Sequence, residues 1–257
     1  MSSAMYVLEL AGASPTRLVL RCYVRPDLNE EEPDLADREA VALGVADDVD
    51  VATPALIAHD PTGDAAGVPS VLMTCLPGRV VWDPTALESW LAGLADVLPA
   101  IHDGALDERL GRYASYRQES DAPPAWAVDR VVWERAVEVF HGPLLDGERC
   151  FIHRDHHPGN VLWRRGRVTG VVDWQSACVG PPSVDVGHCR ANLLRHAPGL
   201  ADRFTRIAEE RSGRAFHPWA DVAALVGMLD GLRTNPPSTV GRQAIEAALG
   251  QAVSSLR

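Results

Sequence analysis

The stretch from Phe151 to Gly187 constrains the fold more than any other part of the chain. Within it, two short apolar runs, Val161–Trp163 and Val168–Val172, flank a turn at Arg164–Arg167. Apolar runs separated by a short polar turn are typical of a β-hairpin. The sequence therefore predicts a hairpin. The polar residues that precede its first strand and those that follow its second strand would then lie close together, at the end opposite the turn.

Those flanking residues have a regular spacing. His153, Asp155 and Asn160 precede the hairpin in the order H-x-D-x-x-x-x-N, and Asp173 ends its second strand. Carboxylate and amide oxygens are the hard ligands that Mg²⁺ takes together with substrate phosphates. Since the hairpin brings Asn160 and Asp173 together, they are candidate metal ligands, and Asp155 on the loop before them is free to act on a hydroxyl, as in phosphoryl transfer.

This segment resembles the catalytic core of the aminoglycoside phosphotransferase and choline kinase family, relatives of the protein kinases that phosphorylate small molecules. The resemblance implies that Asp155 is the catalytic base or hydroxyl-orienting residue and that Asn160 and Asp173 bind Mg²⁺. It also implies that His153 braces the loop and that Asp185 hydrogen-bonds the loop from below. An aromatic residue after the metal-binding aspartate, here Trp174 after Asp173, is common in the family.

The resemblance implies an α+β fold with two lobes, like that of protein kinases. A small antiparallel sheet with one helix would form the N-lobe, residues 1–77, and a mainly helical C-lobe with the catalytic hairpin would follow, residues 78–257. The backbone of Thr74, Cys75 and Leu76 would lie at the hinge and contact the base of ATP or GTP.

The strand Arg17–Val24 carries two further candidates. Alternation along it places Val19 and Arg21 on one face. In the kinase pattern V-A-I-K, these positions cover the adenine and reach the phosphates. Arginine can replace lysine there because a guanidinium is always charged and grips oxygens bidentately, although Arg21 could equally be an ordinary surface residue. Glu39 resembles the helix glutamate that pairs with this basic residue.

The family usually begins with one more strand and a Gly- or Ser-rich loop over the phosphates. In this chain that region would fall at Ser2 and Ser3, just before the strand predicted at Tyr6–Leu10. The expectation is therefore an N-lobe without its first strand, with the two serines as the remnant of the loop, or a start that lies further upstream.

Other interpretations of the same residues stay open. Asp173 and Asp185 are also typical of turns and helix caps. His153, Asp155, His156 and His157 could bind zinc as in a hydrolase, although the order H-x-H-x-D-H of metallo-β-lactamases is not present. A relative that keeps the fold and only binds nucleotide, like a pseudokinase, is the third interpretation.

Composition limits the partners. The 257 residues carry a formal net charge of -11, which argues against nucleic acid and favours a cationic small substrate. An aminoglycoside is one candidate, and a metabolite such as an amino alcohol or a sugar is equally compatible with the sequence. All 24 basic residues are arginine. No apolar run reaches the ~20 residues that span a bilayer, so no membrane contact and a cytoplasmic location are expected.

Periodicity predicts the remaining elements. Further strands are predicted at Ala55–His59 and Ser70–Cys75, and Glu30–Glu32 is predicted to lie in a loop. Helices are predicted at Leu35–Leu43, Pro84–Leu98, Val128–Phe140, Val184–Arg195, Leu200–Arg211, Pro218–Arg233 and Val240–Leu256.

Overall fold

The computed structural model describes residues 3–12 and 17–256; Ser2 lies outside the described residues. The chain begins with a four-stranded antiparallel sheet whose strands lie in the order β1-β2-β4-β3. Its strands are β1 Ala4–Glu9, β2 Arg17–Cys22, β3 Leu56–Asp60 and β4 Ser70–Thr74. Each lies within two residues of its predicted bounds, because the alternating apolar residues of these segments suit a sheet with one covered face.

Two helices follow β2. Helix α2, Leu35–Ala46, packs against the sheet and buries Leu35, Ala36, Leu43 and several other side chains. Helix α1, Pro26–Glu31, was not predicted, and the expectation of a loop at Glu30–Glu32 is wrong for its first two residues. Pro26 near the N-terminus of the helix and Asp27 in its first turn both favour a helix start, so the signal was present in the sequence.

The rest of the chain is mainly helical, as predicted. Its helices are α3 Leu87–His102, α4 Arg130–Phe140, α5 Ser183–His196, α6 Ala201–Ser212, α7 Trp219–Gly227, α8 Leu229–Thr234 and α9 Thr239–Ser255. The largest fully buried side chains include Trp133, Phe151, Trp174 and Phe204. The core therefore lies among these helices and beneath the stretch from Phe151 to Gly187. The two-lobed α+β class predicted from the sequence is confirmed.

Two helix predictions were wrong in detail. Helix α3 was expected to end before Pro99 but continues through it to His102, because burial of Ile101 and His102 outweighs the hydrogen bond that proline cannot donate. The single helix predicted at Pro218–Arg233 is interrupted at Met228, whose backbone leaves the helical region. There the N–H of Asp230 faces the side-chain oxygen of Gln118 at 3.4 Å.

The predicted hairpin is present as β6 Val161–Arg164 and β7 Arg167–Val171. Arg165 and Gly166 form its turn with φ of 53° and 74°. A second pair, β5 Cys150–Ile152 and β8 Cys178–Gly180, was not predicted because three-residue strands carry almost no periodic signal. The β5–β8 pair therefore places the residues just before the His153–Asp155 loop beside residues that follow Asp173.

The segment that follows the sheet is attached to this hairpin. The backbone of Arg79 exchanges two hydrogen bonds with Trp163, at 3.0 and 2.8 Å. Gly78 precedes it with φ of +125°, and a Cβ there would lie 2.4 Å from Oγ1 of Thr169. Glycine is therefore required where the chain crosses from the sheet to the hairpin. Among the described residues, no helix combines the length and the apolar composition needed to cross a bilayer.

Candidate active site

The loop that carries Asp155 is held by one buried carboxylate. Asp185, at the start of α5, accepts the backbone N–H groups of His153 at 3.0 Å and Arg154 at 2.6 Å. Its Oδ2 also lies 3.0 Å from Nε2 of His102. Arg154 has φ of 68°, a strained value for a residue with a side chain. The three hydrogen bonds to Asp185 compensate for that strain and define the path of the loop.

Two histidines of the segment face the core. Nε2 of His153 lies 2.9 Å from the carbonyl oxygen of Val172, and Nε2 of His156 lies 2.9 Å from that of Leu94. Both residues are fully buried. Burial lowers the pKa of His156 to about 3, so its ring is neutral near pH 7. These contacts tie the loop to Val172, just after β7, and to α3.

The Asp155 carboxylate accepts a different hydrogen bond on each oxygen. Oδ1 lies 2.8 Å from Nε2 of His188 on α5, and Oδ2 accepts from Nδ2 of Asn160 at 3.0 Å. Burial alone would raise the pKa of Asp155, but the hydrogen bond and charge of His188, with a further contribution from His157, lower it well below its usual range. Asp155 is therefore ionised, and 28% of its side chain stays exposed to a ligand.

Asn160 and Asp173 offer oxygens that suit a divalent ion. The amide nitrogen of Asn160 donates to the backbone oxygen of Asp155 at 2.8 Å and to its carboxylate, which leaves the amide oxygen of Asn160 free to face a cation. Asp173 follows β7 with φ of 71°, and its Oδ1 lies 2.8 Å from a guanidinium nitrogen of Arg21. The carboxylate oxygens of Asp173 and the amide oxygen of Asn160 are hard ligands of the kind that fit Mg²⁺.

One cavity brings most of the predicted nucleotide-binding residues together. It has a volume of about 280 Å³ and lies between the sheet and the hairpin. Its lining includes the predicted residues Val19, Arg21, Glu39, Thr74, Cys75, Leu76, Asn160 and Asp173. The stretch from Phe151 to Gly187 and the four-stranded sheet therefore meet at one site.

Arg21 lies at the centre of a buried network in this cavity. Its guanidinium contacts Oε1 of Glu39 at 2.7 Å and Oδ1 of Asp173 at 2.8 Å, and its Nε donates to the Ser3 hydroxyl at 3.0 Å. The hydroxyl of Tyr23 donates to the other oxygen of Glu39 at 2.7 Å. Arg21 is only 3% exposed, so the alternative of an ordinary surface arginine is wrong.

The structure also tests the zinc alternative. Asp155, His157 and His188 lie close enough together to share an ion, whereas His153 and His156 do not join them. However, Nδ1 of His157 accepts the N–H of Gly159 at 2.9 Å, so the proton of this ring is on Nε2. Histidine ligands normally donate from the nitrogen opposite the metal. His157 has the reverse arrangement, which disfavours a zinc centre.

Three contributors to the site were missed by sequence reasoning: Tyr23, His102 and His188. His188 could have been found, because it lies three residues after Asp185 on a predicted helix, and residues at that spacing share a face. Tyr23 and His102 carried no such signal. Their partners Glu39 and Asp185 lie 16 and 83 residues away in the sequence.

A two-lobed fold with this loop, hairpin and cavity is of the protein-kinase-like class. The model of the phosphotransferase enzyme family, APH, matches residues 2–222, and the chain belongs to this family. The expected resemblance is thus confirmed.

Two characterised relatives and one solved structure illustrate the range of the family. The chain is 33% identical over 90 residues to an N-acetylmuramate/N-acetylglucosamine kinase of Neisseria meningitidis serogroup B, a match that covers 35% of this chain and 22% of that protein. It is 30% identical over 146 residues to a homoserine kinase of Chelativorans sp., covering 49% and 42%. The chain thus matches less than half the length of either relative.

The solved structure is a thermostable mutant of aminoglycoside phosphotransferase APH(4)-Ia in a ternary complex with ADP and hygromycin B. It superposes with a TM-score of 0.65 at 14% identity, and the match covers 99% of this chain and 91% of that one. At this level of identity the likeness shows the fold alone.

Proposed function

We propose that this protein transfers the γ-phosphate of ATP or GTP to a hydroxyl group of a small molecule. The observation that carries the proposal is the arrangement of Asp155, Asn160 and Asp173 around the end of one hairpin, beside a cavity that also contains Arg21. The carboxylate of Asp155 is ionised, is hydrogen-bonded on both oxygens and is still partly exposed to a second ligand. A protein that only bound nucleotide would not need such a group. The family membership of the chain supports the same reaction class.

In this proposal Asp155 receives the acceptor. Its lowered pKa keeps it ionised, so it accepts the hydrogen bond of the acceptor hydroxyl and orients that oxygen towards the γ-phosphorus. As the new oxygen–phosphorus bond forms, the bond from the γ-phosphorus to the β,γ-bridging oxygen breaks, ADP or GDP leaves, and Asp155 takes up the proton of the hydroxyl. The side chain of His188 and that of Asn160 hold the carboxylate in this orientation. His153 and Asp185 support the loop without touching either substrate.

The donor would occupy the cavity of about 280 Å³. Asn160 and Asp173 would hold Mg²⁺, which neutralises the charge of the phosphates when it is bound. Arg21, held by Glu39, would contact the phosphates beside Ser3. Val19 and the backbone of Thr74, Cys75 and Leu76 would contact the base.

A thermal-shift titration tests the donor site first. ATP and GTP are each added with and without Mg²⁺ to the intact protein and to Asp173→Ala. A ligand at ~100 times its dissociation constant stabilises a fold by about 2.7 kcal/mol, which is readily detected. A rise in melting temperature that needs both the metal and Asp173 is expected. No shift with either nucleotide would contradict the proposal.

The acceptor step needs a separate measurement. Release of ADP or GDP is followed with hydroxylated acceptors, among them an aminoglycoside, an amino alcohol and sugars. Transfer to one of them is expected. Nucleotide binding without transfer to any acceptor would favour the alternative, a pseudokinase-like module that keeps the fold and the ligand.

A further inference from the structure

Arg154, the residue directly before Asp155, combines a strained backbone with an anchored side chain. Its φ of 68° lies in the left-handed region, where a residue with a Cβ is strained and glycine is not. Asp185 accepts the backbone N–H of Arg154 at 2.6 Å, a hydrogen bond that glycine would make equally well. The contacts that are specific to arginine at this position are therefore those of its side chain.

Among the described residues, the hydrogen bond and the ring contacts of the Arg154 guanidinium are all with one segment, Tyr113–Gln118, here called the tyrosine segment. Nη2 donates to the carbonyl oxygen of Ala114 at 2.7 Å. Cζ lies 4.2 Å from the centre of the Tyr116 ring and 5.5 Å from that of Tyr113. Both distances are within the ~6 Å over which a cation and an aromatic ring attract each other. The side chain thus joins the loop of Asp155 to a distant part of the sequence.

The tyrosine segment has no regular secondary structure and is attached at both ends. At its start, the N–H of Tyr113 donates to the carbonyl oxygen of Val179 on β8 at 2.8 Å. At its other end, the side-chain amide of Gln118 donates to the carbonyl oxygen of Gly227, the last residue of α7, at 2.9 Å. Arg154 contacts the stretch between these two attachments, so it links the middle of the segment to the loop.

This link bears on the orientation of Asp155 because the two residues are adjacent in the chain. A side chain that is anchored at its far end restricts rotation about the backbone bonds of its own residue. Rotation about the bonds of Arg154 would displace the carboxylate of Asp155. A displacement of about 1 Å at a reacting group can lower a rate ~100-fold.

We propose that Arg154 is a positioning residue, which couples the tyrosine segment to Asp155 and fixes the orientation in which its carboxylate receives the acceptor hydroxyl. This inference rests on the proposed phosphotransferase function. Arg154 acts through its neighbour in the chain and not through contact with a substrate. The packing of the tyrosine segment on Arg154 then affects turnover as well as stability.

Two replacements remove the guanidinium and suit the left-handed backbone, Arg154→Gly and Arg154→Asn. Asparagine tolerates a positive φ without the extra freedom of glycine. Both variants remove the buried Nε of Arg154, which meets no acceptor among the described residues, and both relieve the strain, so the fold should be retained. Each is expected to lower kcat at least ~10-fold while the KM for ATP stays unchanged.

The kinetics use saturating Mg²⁺ and the sugar, amino alcohol or aminoglycoside to which the natural chain transfers phosphate. The thermal shift produced by ATP with Mg²⁺ is measured on the same preparations and is expected to be retained. A kcat equal to that of the natural chain in Arg154→Gly and Arg154→Asn overturns the inference.

The matched control is Arg165→Gly. Arg165 also has a left-handed backbone, with φ of 53°, but it is exposed in the turn of the hairpin, at the end opposite Asn160 and Asp173. The same replacement is therefore made in the same backbone region, without the contacts to the tyrosine segment. Its kcat is expected to equal that of the natural chain. A loss as large as that in Arg154→Gly would overturn the inference, because the change of backbone alone would then explain it.

Replacement of Tyr116 tests the coupling from the other side. Tyr116→Ala removes the ring beside the guanidinium and is expected to reproduce the loss of kcat, whereas Tyr116→Phe keeps the face of the ring and should restore most of it. Residues that act through one contact are not additive, so Tyr116→Ala combined with Arg154→Gly should lose little more activity than Arg154→Gly alone. Additive losses would contradict the coupling.

Hydrogen exchange measures the coupling without an acceptor. The backbone amides of the tyrosine segment are expected to exchange faster in Arg154→Gly, and those of His153 and Arg154 faster in Tyr116→Ala. Arg165→Gly should leave both places unchanged. Unchanged exchange in the first two variants overturns the inference, whether or not an acceptor has been found.

The two proposals therefore fail in different ways. Transfer by the natural chain, together with an unchanged kcat in the Arg154 variants or unchanged exchange, overturns the positioning role and leaves the proposed function standing. A natural chain that neither binds ATP with Mg²⁺ nor transfers phosphate contradicts the proposed function and, with it, the role of Arg154 in turnover.

Discussion

Nε2 of His188 lies 2.8 Å from Oδ1 of Asp155, and His188 is one helical turn beyond Asp185 on α5. The same turn of α5 therefore holds the Asp155 loop in two ways. Asp185 accepts hydrogen bonds from the backbone of the loop, and His188 contacts the carboxylate of Asp155. A rigid helix positions a side chain more accurately than a loop can. This relationship makes α5 the element on which the geometry of the site depends.

Replacement of His188 should impair turnover more than binding. We expect His188→Ala to lower kcat about 10- to 100-fold, because a small displacement of a catalytic group has an effect of this order. The pKa of Asp155 should rise towards its usual value, so the acidic limb of the kcat profile should move to higher pH. His188→Gln, which keeps a donor, should restore most of the rate. A pH profile unchanged in His188→Ala would argue against the positioning role.

Asp155→Asn should abolish turnover and keep nucleotide affinity. The amide cannot take up the proton of an acceptor hydroxyl, whereas Asp155 lies outside the donor cavity, so the thermal shift produced by ATP with Mg²⁺ should be retained. Single-turnover transfer and the thermal shift are measured on the same preparation. A variant that keeps its activity would exclude Asp155 as the catalytic residue.

Arg21 should contribute to both stability and donor binding. Arg21→Ala leaves Glu39 buried without its cation and should destabilise the fold by about 3–5 kcal/mol. Arg21→Lys keeps the charge but not the three contacts of the guanidinium, so we expect a smaller loss of stability and a raised KM for ATP. Urea unfolding and steady-state kinetics measure the two effects.

The matched control for this pair is Arg17→Ala. Arg17 lies on the same strand, but its side chain is 56% exposed and its contact with Glu9 spans 4.0 Å. Its replacement should change the free energy of unfolding by no more than about 0.5 kcal/mol. Equal effects of Arg17→Ala and Arg21→Ala would show that the buried network has no special role.

His156 should make the stability of the protein depend on pH between 7 and 5. Its folded pKa of about 3 lies below the unfolded value of 6.5, so the unfolded state binds more protons as the pH falls. The contribution of neutral His156 to the free energy of unfolding is fully present above pH 6.5 and decreases below it. A proton on the buried Nδ1 finds no acceptor among the described residues, so the folded state does not favour the charged ring. The loss should be roughly 2 kcal/mol by pH 5.

The measurement is a comparison with His156→Gln, which can still donate to Leu94 but does not titrate. Asp221, whose pKa burial raises to about 6, has the opposite dependence on pH, and the comparison removes its effect. From pH 7 to pH 5, the free energy of unfolding measured with urea should decrease by roughly 2 kcal/mol more in the natural chain than in His156→Gln. Equal drops in the two proteins would exclude His156 as the source.

The grouping of the candidate site residues could be predicted because they are local in the sequence. Asp155, Asn160 and Asp173 lie within 20 residues, and a hairpin between them leaves few possible arrangements. Turn residues and apolar runs specify such a hairpin without help from distant parts of the chain. The same holds for the sheet strands and for most helices, whose periodic apolar residues are present in the sequence itself.

The support of the site could not be predicted in the same way. His102 and Asp185 are 83 residues apart, and Arg21 and Asp173, which also meet, lie on β2 and after β7. Sequence patterns show which face of a helix is apolar, but they do not show which buried polar group will meet another. That choice depends on how α3, α5 and the sheet pack around the hairpin.

The sequence by itself thus determined the class of the fold and the family, and it grouped the residues that we propose for phosphoryl transfer. Only the tertiary structure decided that His188 contacts Asp155 and that Arg21 joins Glu39 to Asp173. The physical reason is that hydrogen bonds and ion pairs act over a few ångströms in space, whatever the separation of the residues along the chain.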